Sequence, residues 1–280
     1  MTYRIRVEHY SRYRYANIVH SSFNEARITP LTTPWQMVLE SRVHVEPAAA
    51  LQSYVDYWGT VVQSFELHQP HDELTVVGRS VVETTPQPEA ADYLTWGELH
   101  NESVRDQFAE LLAPTNQVPS DPRLDGPARA LIQDCSPASV GLAAVEWARE
   151  QLTYVPGTTG VHTSAIEAWN GGEGVCQDFA HLTLAVLRTM GVPCRYCSGY
   201  LHPEGDAAVG STVSGESHAW LEAWTGDWTA LDPTAGSPTG ERHVLVARGR
   251  DYADVPPMKG IFHGGPTAKL DVTVALTRLA

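Results

Sequence analysis

The chain has 280 residues and a mass of 30.6 kDa, which at about 150 residues per domain gives a prior of two domains. Apolar residues make up 42% and charged residues 19%, so the chain holds material for a real core and is not a disordered polymer. Its 19 cations against 33 anions leave a formal charge of −14 with no basic run, which argues against nucleic acid or an anionic membrane surface as a partner.

Two of the cations are lysines, Lys259 and Lys269, so chemistry that needs a buried lysine has almost no candidates. Four cysteines, Cys135, Cys176, Cys194 and Cys197, are too few for a disulfide framework of the secreted kind. The start alternates charged with apolar residues and lacks the apolar stretch of a signal peptide. No apolar run approaches the roughly 18–20 residues of a membrane span. The expectation is a soluble, cytoplasmic protein with free thiols.

From residue 3 to about 85 the pattern is strand-like: Tyr3, Ile5 and Val7 alternate with Arg4, Arg6 and Glu8, and 38–45 and 74–82 are similar. Residues 86–92 carry two prolines and read as a linker, which divides the chain into a β-rich N-terminal domain, 1–90, and a second domain, 91–280. Helical segments are expected at 99–112, 127–134 and 139–152, the last entered through Ser136-Pro137. Residues 153–175 are rich in Gly and Thr and deliver the chain to Cys176. From there to Met190, Phe179, Leu182, Val186, Leu187 and Met190 share one helical stripe, and Gly191 with Pro193 stops the helix. Period-two segments follow at 194–201, 217–224 and 228–232, with a last strand at 270–279. A helix-borne cysteine followed by a sheet is an α+β arrangement.

A cysteine at a helix N-terminus lies among unpartnered backbone N–H groups at the positive end of the helix dipole, which favours thiolate over thiol. Of twelve histidines, His218 stands out: in 217–224 it shares one strand face with Trp220, Glu222 and Trp224, while Ala219, Leu221 and Ala223 line the other. If Thr225-Gly226-Asp227 closes a three-residue hairpin loop, position 224 pairs with 228. Asp232 and His218 are then diagonal neighbours on one face, close enough to hydrogen-bond. Thiol, imidazole and carboxylate together can carry out covalent acyl transfer.

Gly172-Glu-Gly-Val-Cys-Gln-Asp-Phe-Ala-His181, Gly191-Val-Pro-Cys-Arg-Tyr-Cys-Ser-Gly-Tyr200, Ser217-His-Ala-Trp-Leu-Glu222 and Leu231-Asp-Pro-Thr234, in this order, resemble the core blocks of the bacterial transglutaminase-like superfamily. Tyr154-Val-Pro-Gly-Thr158, Gly249-Arg-Asp-Tyr-Ala-Asp-Val255 and the β-rich start extend the resemblance over essentially the whole chain. It implies a papain-like core at about 139–235, its helix-borne cysteine packed on an antiparallel sheet, with 236–280 as a C-terminal strand extension. It also implies that Cys176 is the nucleophile, His218 the base and Asp232 the residue that orients the base. Asp178 and His181 read as supports of the first block, since His181 lies about 140° from Cys176 around a helix. Trp220 shields the site or fills the core. Cys194-x-x-Cys197 with His202 supplies neither enough ligands nor a shared strand face for a metal, and His68-Gln-Pro-His71 reads as a surface loop.

The resulting expectation is a thiol-dependent enzyme, without cofactor or metal, that acts on a protein or peptide at an amide, either a glutamine side chain or a peptide bond. The triad does not encode whether water or an amine accepts the acyl group. The alternative is a catalytically silent transglutaminase-like protein-binding module, and a third possibility is a peptidase component partnered through its β-rich region.

Overall fold

The computed structural model describes residues 2–87, 94–205, 207–215, 217–265 and 268–280; most of the expected linker lies outside them. Among the described residues the N-terminal half supplies the strands β1 (Tyr3–Val19), β2 (Ser21–Ala26), β3 (Gln36–Glu46), β4 (Gln52–Val55), β5 (Val61–Leu67) and β6 (His71–Thr84). The α-helices that follow among these residues are α1 (Trp96–Leu99), α2 (Glu102–Gln107), α3 (Ala109–Leu112), α4 (Asp125–Asp134), α5 (Pro137–Gln151), α6 (Ala165–Gly171) and α7 (Cys176–Thr189). Two short strands, β7 (Thr153–Tyr154) and β8 (Glu173–Gly174), flank α6. The remaining strands are β9 (Cys194–Leu201), β10 (Thr212–Gly215), β11 (Ser217–Trp224), β12 (Trp228–Asp232), β13 (Ser237–Pro238), β14 (His243–Gly249), β15 (Met258–His263) and β16 (Ala268–Arg278).

The α+β class holds. An antiparallel sheet in the order β13-β12-β11-β9-β14 carries α7 on one face. That face is lined by Ala219, Leu221, Ala223 and Cys194, and the opposite face by Cys197, Trp220, Ala230 and Leu245. Cys194 and Cys197 therefore point to opposite sides of β9, as period-two geometry requires, and both are free thiols. Burial raises the Cys194 thiol to about 11 and pushes Cys197 well above its usual range, so neither is a ready nucleophile.

Several expectations change in three dimensions. The helical segment at 99–112 is divided among three short helices: Thr95 caps the first and Asn101 the second, its side chain accepting from Ser103 N–H at 3.2 Å, and the third follows Phe108 without a side-chain cap. The Gly- and Thr-rich stretch 153–175 contains helix α6, which opens on a reciprocal capping box between Ser164 and Glu167. That helix ends at Gly172, whose φ of 69° suits a residue without a Cβ. Helix α7 has no solvent stripe: every residue from Gln177 to Leu187 is buried, because sheet, α5 and α6 pack around it. His71 is buried at the start of β6 rather than in a surface loop.

The largest correction concerns the C-terminus. The final strand, expected as an extension of the catalytic unit, pairs antiparallel with β1 from Ile5–Arg278 to Tyr15–Ala268. It belongs to the sheet β10-β16-β1-β6-β3, while β15 pairs with β2 in the second sheet, β15-β2-β5-β4. Alternation alone made 270–279 a strand but could not name its partner; burial of Val274 and Leu276 beside Ile5 and Val7 decides it. These residues join the same core cluster as α5 and α7.

Two buried histidines tie the layers together. His9 on β1 contacts Tyr200 Oη on β9 at 2.9 Å through Nδ1 and Ser11 Oγ at 2.9 Å through Nε2. His181 on α7 accepts the Tyr252 backbone N–H at 3.2 Å. Burial lowers His9 to about 4, and burial with Arg188 lowers His181 to about 3. Folded rings stay neutral where unfolded ones protonate near 6.5, so their stabilisation is complete above pH 6.5 and is lost as pH falls toward 4 and then 3. At pH 5 the His9 contribution should be down by about 2 kcal/mol. Denaturation midpoints should therefore fall between pH 7 and pH 5, and fall less in His9→Gln; equal falls in both proteins would refute this origin.

Candidate active site

The nucleophile candidate is set by the way α7 begins. Asp178, at the third helical position, turns back so that its Oδ2 accepts the Val175 N–H at 2.8 Å and the Thr159 hydroxyl at 2.6 Å. Gly174 makes room for this: a Cβ there would lie 2.6 Å from Asp178 Cβ. Parallel pairing of β8 with β7 delivers the preceding residues, with Val155 N–H bonding to Gly174 O at 3.0 Å. Burial raises the Asp178 carboxyl against the pull of those donors, and the residue is a support of the helix entry, as expected. Cys176 itself is half-buried at the first helical position.

The imidazole and carboxylate come from the β11–β12 hairpin. Trp224 pairs with Trp228 and Leu221 with Leu231, the register of a three-residue loop. The diagonal that this register creates is closed by a hydrogen bond from His218 Nε2 to Asp232 Oδ2 at 2.8 Å. Cys176 interacts with the same ring, and because Nε2 is taken by Asp232, Nδ1 is the atom left for the sulfur. His218 thus stands between Cys176 and Asp232 as the partner of both.

Asp232 is fully buried, and four donors meet it. Its Oδ1 accepts from Thr234 N–H at 2.9 Å and Ala235 N–H at 3.1 Å. Its Oδ2 accepts from His218 and, at 3.0 Å, from His243 Nε2 on β14. Burial opposes the charged form, but the two imidazole hydrogen bonds outweigh it and hold the carboxyl far below the usual range. For His218, burial alone would lower the pKa; the hydrogen bonds to Asp232 and Cys176 and the attraction to both raise it to about 9. Trp220 closes the buried side, with its ring 6.1 Å from His218 and 5.4 Å from His243.

His218 Nε2, Asp232 Oδ2 and His243 Nε2 lie within 4.8 Å of one another, a spacing that by itself would suit a cation. The hydrogen bonding does not suit one. Gly240 N–H donates to His243 Nδ1 at 3.1 Å, so the single hydrogen of the neutral ring sits on Nε2, the atom a metal would need bare.

A family model described as "Transglutaminase-like superfamily" matches residues 129–233, and one described as "Bacterial transglutaminase-like N-terminal region" matches residues 5–83. The chain belongs to the transglutaminase-like superfamily. An uncharacterized protein of Mycobacterium leprae is 49% identical over 99% of this chain and 100% of its own length. One of Mycobacterium tuberculosis is 31% identical over 98% of this chain and 92% of its own. The crystal structure of "a Putative Cysteine Protease" from Cytophaga hutchinsonii shares the fold, with a TM-score of 0.75 over 99% of this chain and 98% of that one at 20% identity.

Within the superfamily core, the structure brings all three sequence-derived site residues together. It adds three that sequence reasoning missed. Thr159 anchors Asp178. Arg149 on α5 clamps the turn after Asp232 through the carbonyls of Pro233 and Thr234. His243 is the third: nothing in the spacing of twelve histidines singles it out, because β14 reaches Asp232 only through the sheet. Among the described residues no helix is long and apolar enough to cross a membrane.

The raised His218 pKa depends on a charged partner. Asp232→Asn should move the His218 titration from about 9 toward its ordinary value near 6.5, measured from imidazole resonances across pH 5–10. A titration that stays near 9 would show that Asp232 is not its cause.

Proposed function

We propose that the protein is a thiol enzyme that cleaves or transfers the acyl group of an amide in a protein or peptide substrate, the amide being a glutamine side chain or a peptide bond. The observation that supports it best is the line from Cys176 through His218 to the four-donor carboxylate of Asp232.

The Cys176 thiolate attacks the carbonyl carbon, and the backbone N–H of Cys176 at the head of α7 is the donor for the oxygen that becomes negative. The His218 imidazolium gives its Nδ1 proton to the departing nitrogen, which leaves as ammonia or an amine, and a thioester to Cys176 remains. Neutral His218 then takes a proton from water or an incoming amine as that nucleophile attacks the thioester, and the thiolate is released. Asp232 keeps hydrogen on Nε2, so Nδ1 is the atom that exchanges protons, and it stabilises the imidazolium without being protonated. A negative protein disfavours acidic substrates at long range. A reducing cytoplasm would keep the half-buried Cys176 free.

Alkylation of Cys176 by iodoacetamide tests the reading. Wild-type protein should label rapidly at neutral pH, and His218→Ala should label more slowly there by about tenfold or more. Equal labelling rates in the two proteins would overturn it. A glutamine peptide supplied with and without a primary amine then separates the outcomes: amine incorporation means transfer, ammonia alone means deamidation, and shorter peptides mean proteolysis.

A further inference from the structure

We propose that His243 is a positioning residue for the triad: a neutral imidazole that holds Asp232 from the side opposite His218 and shares the same carboxylate oxygen. The inference rests on the reading of Cys176, His218 and Asp232 as a working triad.

The hydrogen-bond directions carry it. A backbone N–H can only donate, so the Gly240 N–H that meets His243 Nδ1 at 3.1 Å requires a lone pair there. The neutral ring then carries its hydrogen on Nε2, 3.0 Å from Asp232 Oδ2, and Asp232 is charged and can only accept. The reverse turn is closed as well, because His243 N–H bonds to Gly240 O at 3.0 Å. Ring and backbone of His243 are therefore tied to one residue while the far side of the ring faces the carboxylate.

The groups that face His243 are Asp232 on β12, His218 on β11 and Arg242 beside it in the chain. Burial disfavours protonation of the ring and outweighs the pull of Asp232, and the positive charges of His218 and Arg242 act in the same direction as burial. A second cation next to His218 would compete for Asp232; a neutral donor does not. With Oδ1 held by two backbone N–H groups and Oδ2 by two imidazoles, the carboxylate has no free rotation. His243 also draws electron density from Oδ2, which limits how tightly Asp232 holds the His218 imidazolium. That limit matters, because the same imidazolium must release its proton to the leaving nitrogen.

The test follows the ring resonances of nitrogen-labelled wild type, His243→Phe and His243→Gln through a pH titration, which reads the site without any substrate. In wild type, His243 should show the Nε2–H form, with any titration displaced below the ordinary imidazole value. In His243→Phe, which keeps the ring volume and removes the donor, the His218 titration should rise by about half a pH unit or more. In His243→Gln, whose amide restores a donor, it should return toward the wild-type value. An Nδ1–H tautomer or a His243 titration near 6.5 in wild type would overturn the proposal even if neither variant folded. Superimposable His218 curves in all three proteins would overturn it too, as would equal displacement in both variants. Failure of the triad reading itself shows separately, as loss of the His218-dependent labelling of Cys176 in wild type.

Discussion

The site is organised around one buried anion. An isolated carboxylate with no exposed surface would cost several kcal/mol and would neutralise instead. Asp232 stays charged because donors arrive from three directions: the turn 233–235, the neighbouring strand through His218, and β14 through His243. Each of those directions is itself braced. Arg149 pins the turn from α5, and Gly236, with a φ of 73°, leaves the space that the Arg149 side chain fills. A charge satisfied by so many elements sets their mutual positions, and the geometry of His218 follows from it.

The position of Cys176 depends on a different constraint, the burial of α7. A helix packed on all sides cannot slide to accommodate its first residue, so Cys176 stands where the sheet, α5 and α6 put it. Asp178 and Gly174 then settle how the chain enters the helix, and Thr159 holds that carboxylate. Two carboxylates thus serve the site by opposite means. Asp232, met by four donors, remains ionised; Asp178, with Oδ1 buried and unpartnered, has its pKa raised and acts as a structural cap.

The N-terminal sheet is part of this arrangement rather than an appendage. Gln36, on its edge strand β3, bonds to both backbone groups of Leu245 on β14 and to Leu31 O, and Thr84 of β6 bonds to Glu241 O just before His243. Its other edge strand, β10, lies directly before β11 in the chain. The sheet therefore buttresses both strands that bring an imidazole to Asp232. That explains in physical terms why strands from both ends of the chain build it and why it shares the main hydrophobic core.

Local pattern was enough for much of this. The stripe of α7 with its glycine stop, the alternation in 217–224 and the three-residue loop before Trp228 are short-range properties. They led to Cys176, His218 and Asp232 and to the α+β class, because helix period, strand period and hairpin register are written in neighbouring residues. The serine-to-glutamate capping box of α6 was equally local and was hidden only by the surrounding glycines. Three things had no local trace: which strand the C-terminal segment would join, that α7 would be covered on every side, and that His243 would meet Asp232. Each is set by pairing and packing between segments far apart in the chain, where many partners satisfy the same pattern and only burial of the whole core selects one.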